Sequence, residues 1–150
     1  MDKIEKRKET RRMADPNDFN QQLIEEYRAT GGKVSGIFAG RPLMLLTTTG
    51  AKSGQPRTAP LVYTTDGDNM VVIASKGGAP TNPDWYHNLR AQPLVTIELG
   101  DEQFQAQARV TEGEERQRLY DAQAELMPTF ADYQRNATRE IPVVVLERIA

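Results

Sequence analysis

The chain has 150 residues and a formal net charge of −2, with no cysteine and one histidine. That length allows one domain with a proper core and leaves no room for two, and the near-neutral balance argues against a general nucleic-acid binder. Without cysteine there are no disulfides, thiolate nucleophiles or Cys-ligated metal sites, and a lone His87 excludes multi-histidine metal centres. No run reaches the roughly eighteen apolar residues of a membrane span, and no signal-peptide core opens the chain, so a soluble cytoplasmic protein is expected. With so little nucleophilic chemistry of its own, an enzyme of this composition would rely on a cofactor.

Residues 1–12 hold six cations and three acids and almost nothing apolar. They read as a solvated helix or tail, giving a charged extension over residues 1–14 ahead of a domain at 15–150. The sharper alternative is a weak electrostatic contact with an anionic membrane surface, peripheral at its inner face. Asp15-Pro16-Asn17 offers a helix start with Asp15 or Asn17 as cap. Phe19, Leu23, Ile24 and Tyr27 follow at helical spacing until Gly31-Gly32. Residues 33–42 read as an irregular loop.

Strands are expected at 43–49, 58–65 and 70–75, the last rich in β-branched residues, with turns between them. Asn82-Pro83 reads as a cap followed by proline in the first turn of a helix over 84–91. Two more strands fall at 94–99 and 103–110. Thr111-Glu112-Gly113-Glu114 has capping-box spacing for a helix to about Leu126. A short helical piece through Arg135 and a last strand at 142–147 complete the chain. Six strands joined mostly by turns describe an α+β protein, an antiparallel barrel with helices on its rim, and no GxGxxG favours a parallel alternative.

Two loops carry the chemistry. Gly50-Ala51-Lys52-Ser53-Gly54-Gln55-Pro56-Arg57 joins two strands, with glycines that permit unusual backbone angles so that successive N–H groups can face one anion. Lys52 adds a point charge and Arg57 a planar fork, a pairing suited to phosphate or carboxylate. From Gly31 to Thr65 there are four cations, Lys33, Arg41, Lys52 and Arg57, and no acid. The turn is not a Walker loop, because Leu46 and Ala51 stand where its glycines belong. A plain solvated hairpin with surface charges is the competing reading. The second loop, Ser75 to Asp84, leaves a buried strand and opens a helix. Its paired glycines let a flat ligand approach, Lys76 adds a charge, and Trp85 stands in the first helical turn. The competing reading is an ordinary loop with Trp85 in the core. His87 reads as a surface helix residue, and Asp66 and Asp68 as turn residues rather than a metal pair.

TTTGAKSGQPRTAPLVY, ASKGGAPTNPDWYHNL and MPTFADYQRNATREIPVVVLE, in this order and spacing, resemble the deazaflavin (F420)-dependent nitroreductase family of actinobacteria; with the segment from Asn17 to Gly50 the likeness spans residues 17–148. The resemblance implies a split β-barrel, coenzyme F420 rather than FMN, and hydride transfer to an electron-poor acceptor such as a quinone, an activated alkene or a nitroaromatic. By position, Lys52, Ser53, Gly54 and Arg57 would hold the cofactor's phosphate and acidic tail. Ser75, Lys76, Gly77, Gly78 and Ala79 would line the ring, with Asn82 and Trp85 near it and Pro60, Val62 and Tyr63 beneath. The segment Pro128-Thr129-Phe130-Ala131-Asp132-Tyr133-Gln134 departs from the family's two substrate-side tyrosines: Phe130 replaces one, which puts prodrug-type nitro reduction in doubt. Tyr133 remains a candidate proton donor or substrate clamp, or else a core tyrosine with a backbone-satisfied hydroxyl. The alternatives are an FMN enzyme on the same barrel and a non-catalytic F420 or small-ligand carrier. Split barrels often dimerise, so a homodimer is compatible with the likeness, though nothing in the chain requires one.

Overall fold

The computed structural model describes residues 16–149. The charged extension, its expected membrane contact and Asp15 lie outside the described residues. Strands β1 (Leu43–Thr49), β2 (Pro56–Val62), β3 (Thr64–Asp66), β4 (Asn69–Ile73), β5 (Leu94–Leu99), β6 (Glu102–Val110) and β7 (Val143–Arg148) are accompanied by helices α1 (Pro16–Thr30), α2 (Asp84–Ala91), α3 (Gly113–Leu126) and α4 (Thr129–Asn136). The strands form one sheet in the order β2-β1-β5-β6-β7-β4-β3, antiparallel at every step.

The two edge strands of that sheet, β2 and β3, are separated by one residue, Tyr63. Laid flat, seven strands would put the edges roughly 29 Å apart, whereas Val62 and Thr64 can be at most about 7 Å apart. The sheet therefore has to curl until its edges meet, and the result is a split barrel, as expected. The expected strand over 58–65 becomes two because its first part pairs with β1 and its second with β4. Tyr63 marks the change by donating its N–H to Pro42 O at 3.1 Å.

Alternation along the strands fills both sides of the curl. Met44 and Leu46 of β1, Met70 and Val72 of β4, Val95 and Ile97 of β5, Ala106 and Ala108 of β6, and Val144 and Leu146 of β7 form the barrel interior. Leu43 and Leu45 point the other way and are covered by Leu23, Ile24 and Tyr27 of α1. Val71, Ile73, Val143 and Val145 are covered by Leu119 and Tyr120 of α3. Strands buried on both faces read as continuous apolar runs, which is why β1, β4 and β7 are so plain in the sequence. The Tyr27 hydroxyl donates to Leu43 O at 3.0 Å and accepts from Gly100 N–H at 2.8 Å. Burial pushes this phenol above its ordinary pKa, keeping it a donor.

Three local expectations are corrected. Phe19 is 44% exposed and leans on Phe38 rather than completing the buried stripe of α1. Helix α2 begins at Asp84 with Pro83, which has no side-chain acceptor, in the cap position, while Asn82, one residue further out, accepts at Oδ1 from Arg139. Nor does Thr111 cap α3: its hydroxyl donates to Val143 O at 2.9 Å, and Glu112 occupies the cap position without a side-chain bond.

Candidate active site

Four antiparallel steps lead from β1 to β4, so the two strands run the same way and release their chains at the same end of the barrel. The turn at 50–55 leaves β1 and the loop at 74–83 leaves β4, so both loops stand on one rim. Strand β7 runs oppositely and begins there, which brings α4 and the segment that precedes β7 to that rim as well.

The turn closes on itself. Gly50 N–H donates to Gln55 O at 2.8 Å and Gly54 N–H to Gly50 O at 2.9 Å, while Gln55 N–H donates to Ser53 Oγ at 3.1 Å. Gly54 uses a left-handed angle, φ +71°. Gly50 does not, and its requirement is space: a Cβ there would lie 2.5 Å from Ser53 Oγ. Ala51 N–H is taken by Asn88 Oδ1 at 3.0 Å. Among the described residues this leaves the N–H groups of Lys52 and Ser53 without a partner, beside the exposed side chains of Lys52 and Arg57. Neither cation has an acidic partner among the described residues. The expected nest is thus two donors wide, narrower than the run of glycines allows.

Asn88 joins the loops. It is 7% exposed on the inward face of α2 with Trp85, Tyr86 and Leu89, and its Nδ2 donates to the buried Thr48 hydroxyl at 3.1 Å. The helix that the second loop opens is thereby fastened to the turn. An asparagine in an apolar helical stripe was the available signal, and sequence reasoning did not use it. Trp85 belongs to the barrel core at 8% exposure, so the structure gives it the core position that was the alternative to an aromatic wall.

The second loop is a run of left-handed residues: Lys76 at φ +49°, Gly77 at +64° and Gly78 at +84°. The glycines accept this freely; Lys76 is strained by about 1 kcal/mol or more. Gly78 N–H donates to Ser75 O and Ala79 N–H to Lys76 O, which leaves Lys76 N–H and Gly77 N–H unused among the described residues. Lys76 Nζ reaches Thr81 Oγ1 at 3.2 Å. Tyr133 of α4 lies on Gly78, with its ring 3.5 Å from where a Cβ would stand. Phe130 and Tyr133 meet edge to face at 5.3 Å. The Tyr133 hydroxyl makes no hydrogen bond among the described residues, whereas the Tyr120 hydroxyl donates to Phe130 O, and burial holds that phenol above its usual pKa. Pro60 and Val62 sit on β2 and Tyr63 at its end, all half-buried. His87 is exposed on α2, and Asp66 pairs with Arg118 at 3.2 Å.

A split barrel with two donor-bearing, glycine-rich loops fastened together on one rim places the chain among the cofactor-binding split-barrel proteins. It belongs to the F420H2-dependent quinone reductase family, which it matches over residues 20–148. It is 43% identical over 126 residues to an F420H2-dependent quinone reductase of Mycobacterium tuberculosis, covering 81% of this chain and 85% of that one. A solved F420-H2 dependent reductase (FDR-A) superposes with a TM-score of 0.66 at 42% identity, over 71% of this chain and 95% of that one. A structure described as a domain-swapped dimer gives a TM-score of 0.68 at 37% identity, over 89% and 100% of the two chains. The chain is an F420H2-dependent reductase, and its cofactor is coenzyme F420.

Proposed function

We propose that this reductase passes a hydride from F420H2 to a quinone. The observation that carries the placement of the cofactor is chemical: both loops present, on the same rim, cations without an acidic partner and N–H donors without a partner among the described residues. A polyanionic tail and a ring edged with carbonyl groups are the complement of such a surface.

On this reading Lys52, Ser53, Gly54 and Arg57 hold the phosphate and acidic tail. Ser75, Lys76, Gly77, Gly78 and Ala79 line the ring, Asn82 is held beside it, and Pro60, Val62 and Tyr63 lie beneath. Trp85 supports the helix from the core side. When bound, the reduced deazaflavin supplies a hydride from C5. The chain's own work is to fix the donor and acceptor in register and to exclude water, since no side chain needs to act as a nucleophile. Tyr133, with an unengaged hydroxyl next to Gly78, would clamp the acceptor or give it a proton, and Phe130 would stack on it without donating one.

The dimeric neighbour supports a homodimer for this chain. A quinone is apolar, and the basic residues 1–12 would give a weak electrostatic hold on an anionic membrane surface; no helix among the described residues is long and apolar enough to cross a membrane.

The test is the double variant Lys52→Ala/Arg57→Ala, titrated with F420 by fluorescence. Both side chains are exposed, so the fold should persist by circular dichroism, while affinity falls on the order of a hundredfold from the loss of two charge-assisted contacts. Unchanged affinity would refute the placement. Steady-state oxidation of F420H2 by a menaquinone analogue tests the acceptor: binding without turnover would reduce the protein to a carrier of F420.

A further inference from the structure

Arg139, in the segment between α4 and β7, has no role in the placement above, yet its guanidinium is one of the most heavily bonded groups on the rim. Nε donates to Ala79 O at 3.2 Å and Nη1 to Asn82 Oδ1 at 2.5 Å. Nη2 donates to Ser75 O at 3.1 Å and to Ala74 O at 3.3 Å. These four acceptors lie at the two ends of the loop from Ala74 to Asn82, so one planar group draws both ends together.

The base from which Arg139 reaches is itself fixed. Arg116 of α3 is 4% exposed and donates to Ile141 O at 2.7 Å and to Gln134 Oε1 at 2.6 Å. Gln134 Oε1 also accepts from Ile141 N–H at 2.9 Å, and Gln134 Nε2 donates to Arg139 O at 2.9 Å. A polar spine therefore runs from the buried face of α3 through α4 to the loop, and the same α4 lays Tyr133 on Gly78.

An arginine carries five donors and no acceptor. By gathering the carbonyls of Ala74, Ser75 and Ala79 and the amide oxygen of Asn82, it removes acceptors from the loop and leaves the N–H groups of Lys76 and Gly77 on its free side. It also holds Lys76 in a backbone conformation that a lysine would otherwise leave. We propose that Arg139 is a positioning residue of the reductase, whose fork sets the 74–82 loop as a donor surface for the deazaflavin ring and ties that seat to the helix bearing Tyr133. This rests on the ring lying against that loop.

The test compares two ligands, F420 and the tail-less deazaflavin riboside that has the ring but no phosphate. In Arg139→Ala the dissociation constants of both should rise by the same factor, about tenfold or more for the loss of charged hydrogen bonds. The fluorescence maximum of the bound ring should move toward its value in water. In Arg139→Lys, which keeps the charge and folds more safely, a point charge cannot replace the fork, and both constants should remain raised. A melting temperature that falls while both constants stay at wild-type values would show a merely structural arginine and overturn the proposal. So would full recovery of affinity by lysine. The double variant Lys52→Ala/Arg57→Ala is the control for the placement itself: it should weaken F420 and spare the tail-less riboside. If it weakens neither ligand, the cofactor lies elsewhere and the role of Arg139 falls with it. If the control behaves and Arg139→Ala binds the riboside normally, the placement stands and only the present inference fails.

Discussion

Replacing Asn88 by alanine removes the one side chain that bonds both the cationic turn and β1. Two groups lose this partner: Ala51 N–H, 3.0 Å from Oδ1 in an exposed residue of the turn, and the buried Thr48 hydroxyl, 3.1 Å from Nδ2, which keeps only a long 3.5 Å bond to Arg57 O. At 7% and 1% exposure, Asn88 and Thr48 have little access to water that could compensate. Losing the buried bond at Thr48 and the more exposed one at Ala51 costs about 2 kcal/mol together, and the better helix propensity of alanine returns about 0.5 kcal/mol. The net loss of about 1.5 kcal/mol should lower the melting temperature by roughly 3–6 °C in a chain of this size. The functional effect has a direction of its own. On the proposed placement of the tail, a turn freed from α2 holds it less well, so F420 affinity should fall several-fold while that of the tail-less riboside changes less. Pairing the variant with Thr48→Val in a double-mutant cycle isolates the bond between them, and the two costs should not add. A melting temperature within about 2 °C of wild type would refute the claim that this asparagine fastens the loops. A larger loss for the riboside than for F420 would refute the assignment of the tail to the turn.

Gly50→Ala should destabilise by about 1 kcal/mol, because its Cβ forces Ser53 Oγ away from Gln55 N–H; the cost should shrink in a Ser53→Ala background, measured by thermal or denaturant unfolding. Lys76→Gly should leave stability within about 0.5 kcal/mol, since relief at φ +49° is offset by a more flexible unfolded chain, while F420 affinity falls with the lost charge. A weakened fold with unchanged F420 affinity in that variant would remove Lys76 from the cofactor surface.

Much of the architecture was legible because its signals are periodic. Continuous apolar runs marked β1, β4 and β7, which are buried from both sides, and alternation marked β5. The break at Tyr63 was not legible. Residues 58–65 are uniformly suited to a strand, and the division arises only because the strand changes partner as the barrel closes. The turn and the glycine loop were found from composition, but the glycines do different jobs from those the sequence allowed. Gly54, Gly77 and Gly78 supply left-handed angles, whereas Gly50 supplies room for a hydroxyl.

The polar residues that organise the rim escaped for a related reason. Asn82 and Thr111 each stand one residue before the observed cap, Pro83 and Glu112, close enough for local spacing to single them out. Arg139, 57 residues from Asn82, offers a charged donor that outcompetes a neutral backbone N–H, and Val143 O, 32 residues from Thr111, offers an acceptor inside the core. Local spacing ranks only the local partners, so it fails wherever a stronger or drier partner arrives from a distant part of the chain. The corresponding clue is a polar residue inside an apolar helical stripe: Asn88 among Trp85, Tyr86 and Leu89, and Arg116 and Gln123 flanking Leu119 and Tyr120. A side chain buried there must find a distant partner: for Asn88 the search ends at the cationic turn and β1, and for Arg116 at α4, the helix of Tyr133, and the segment before β7.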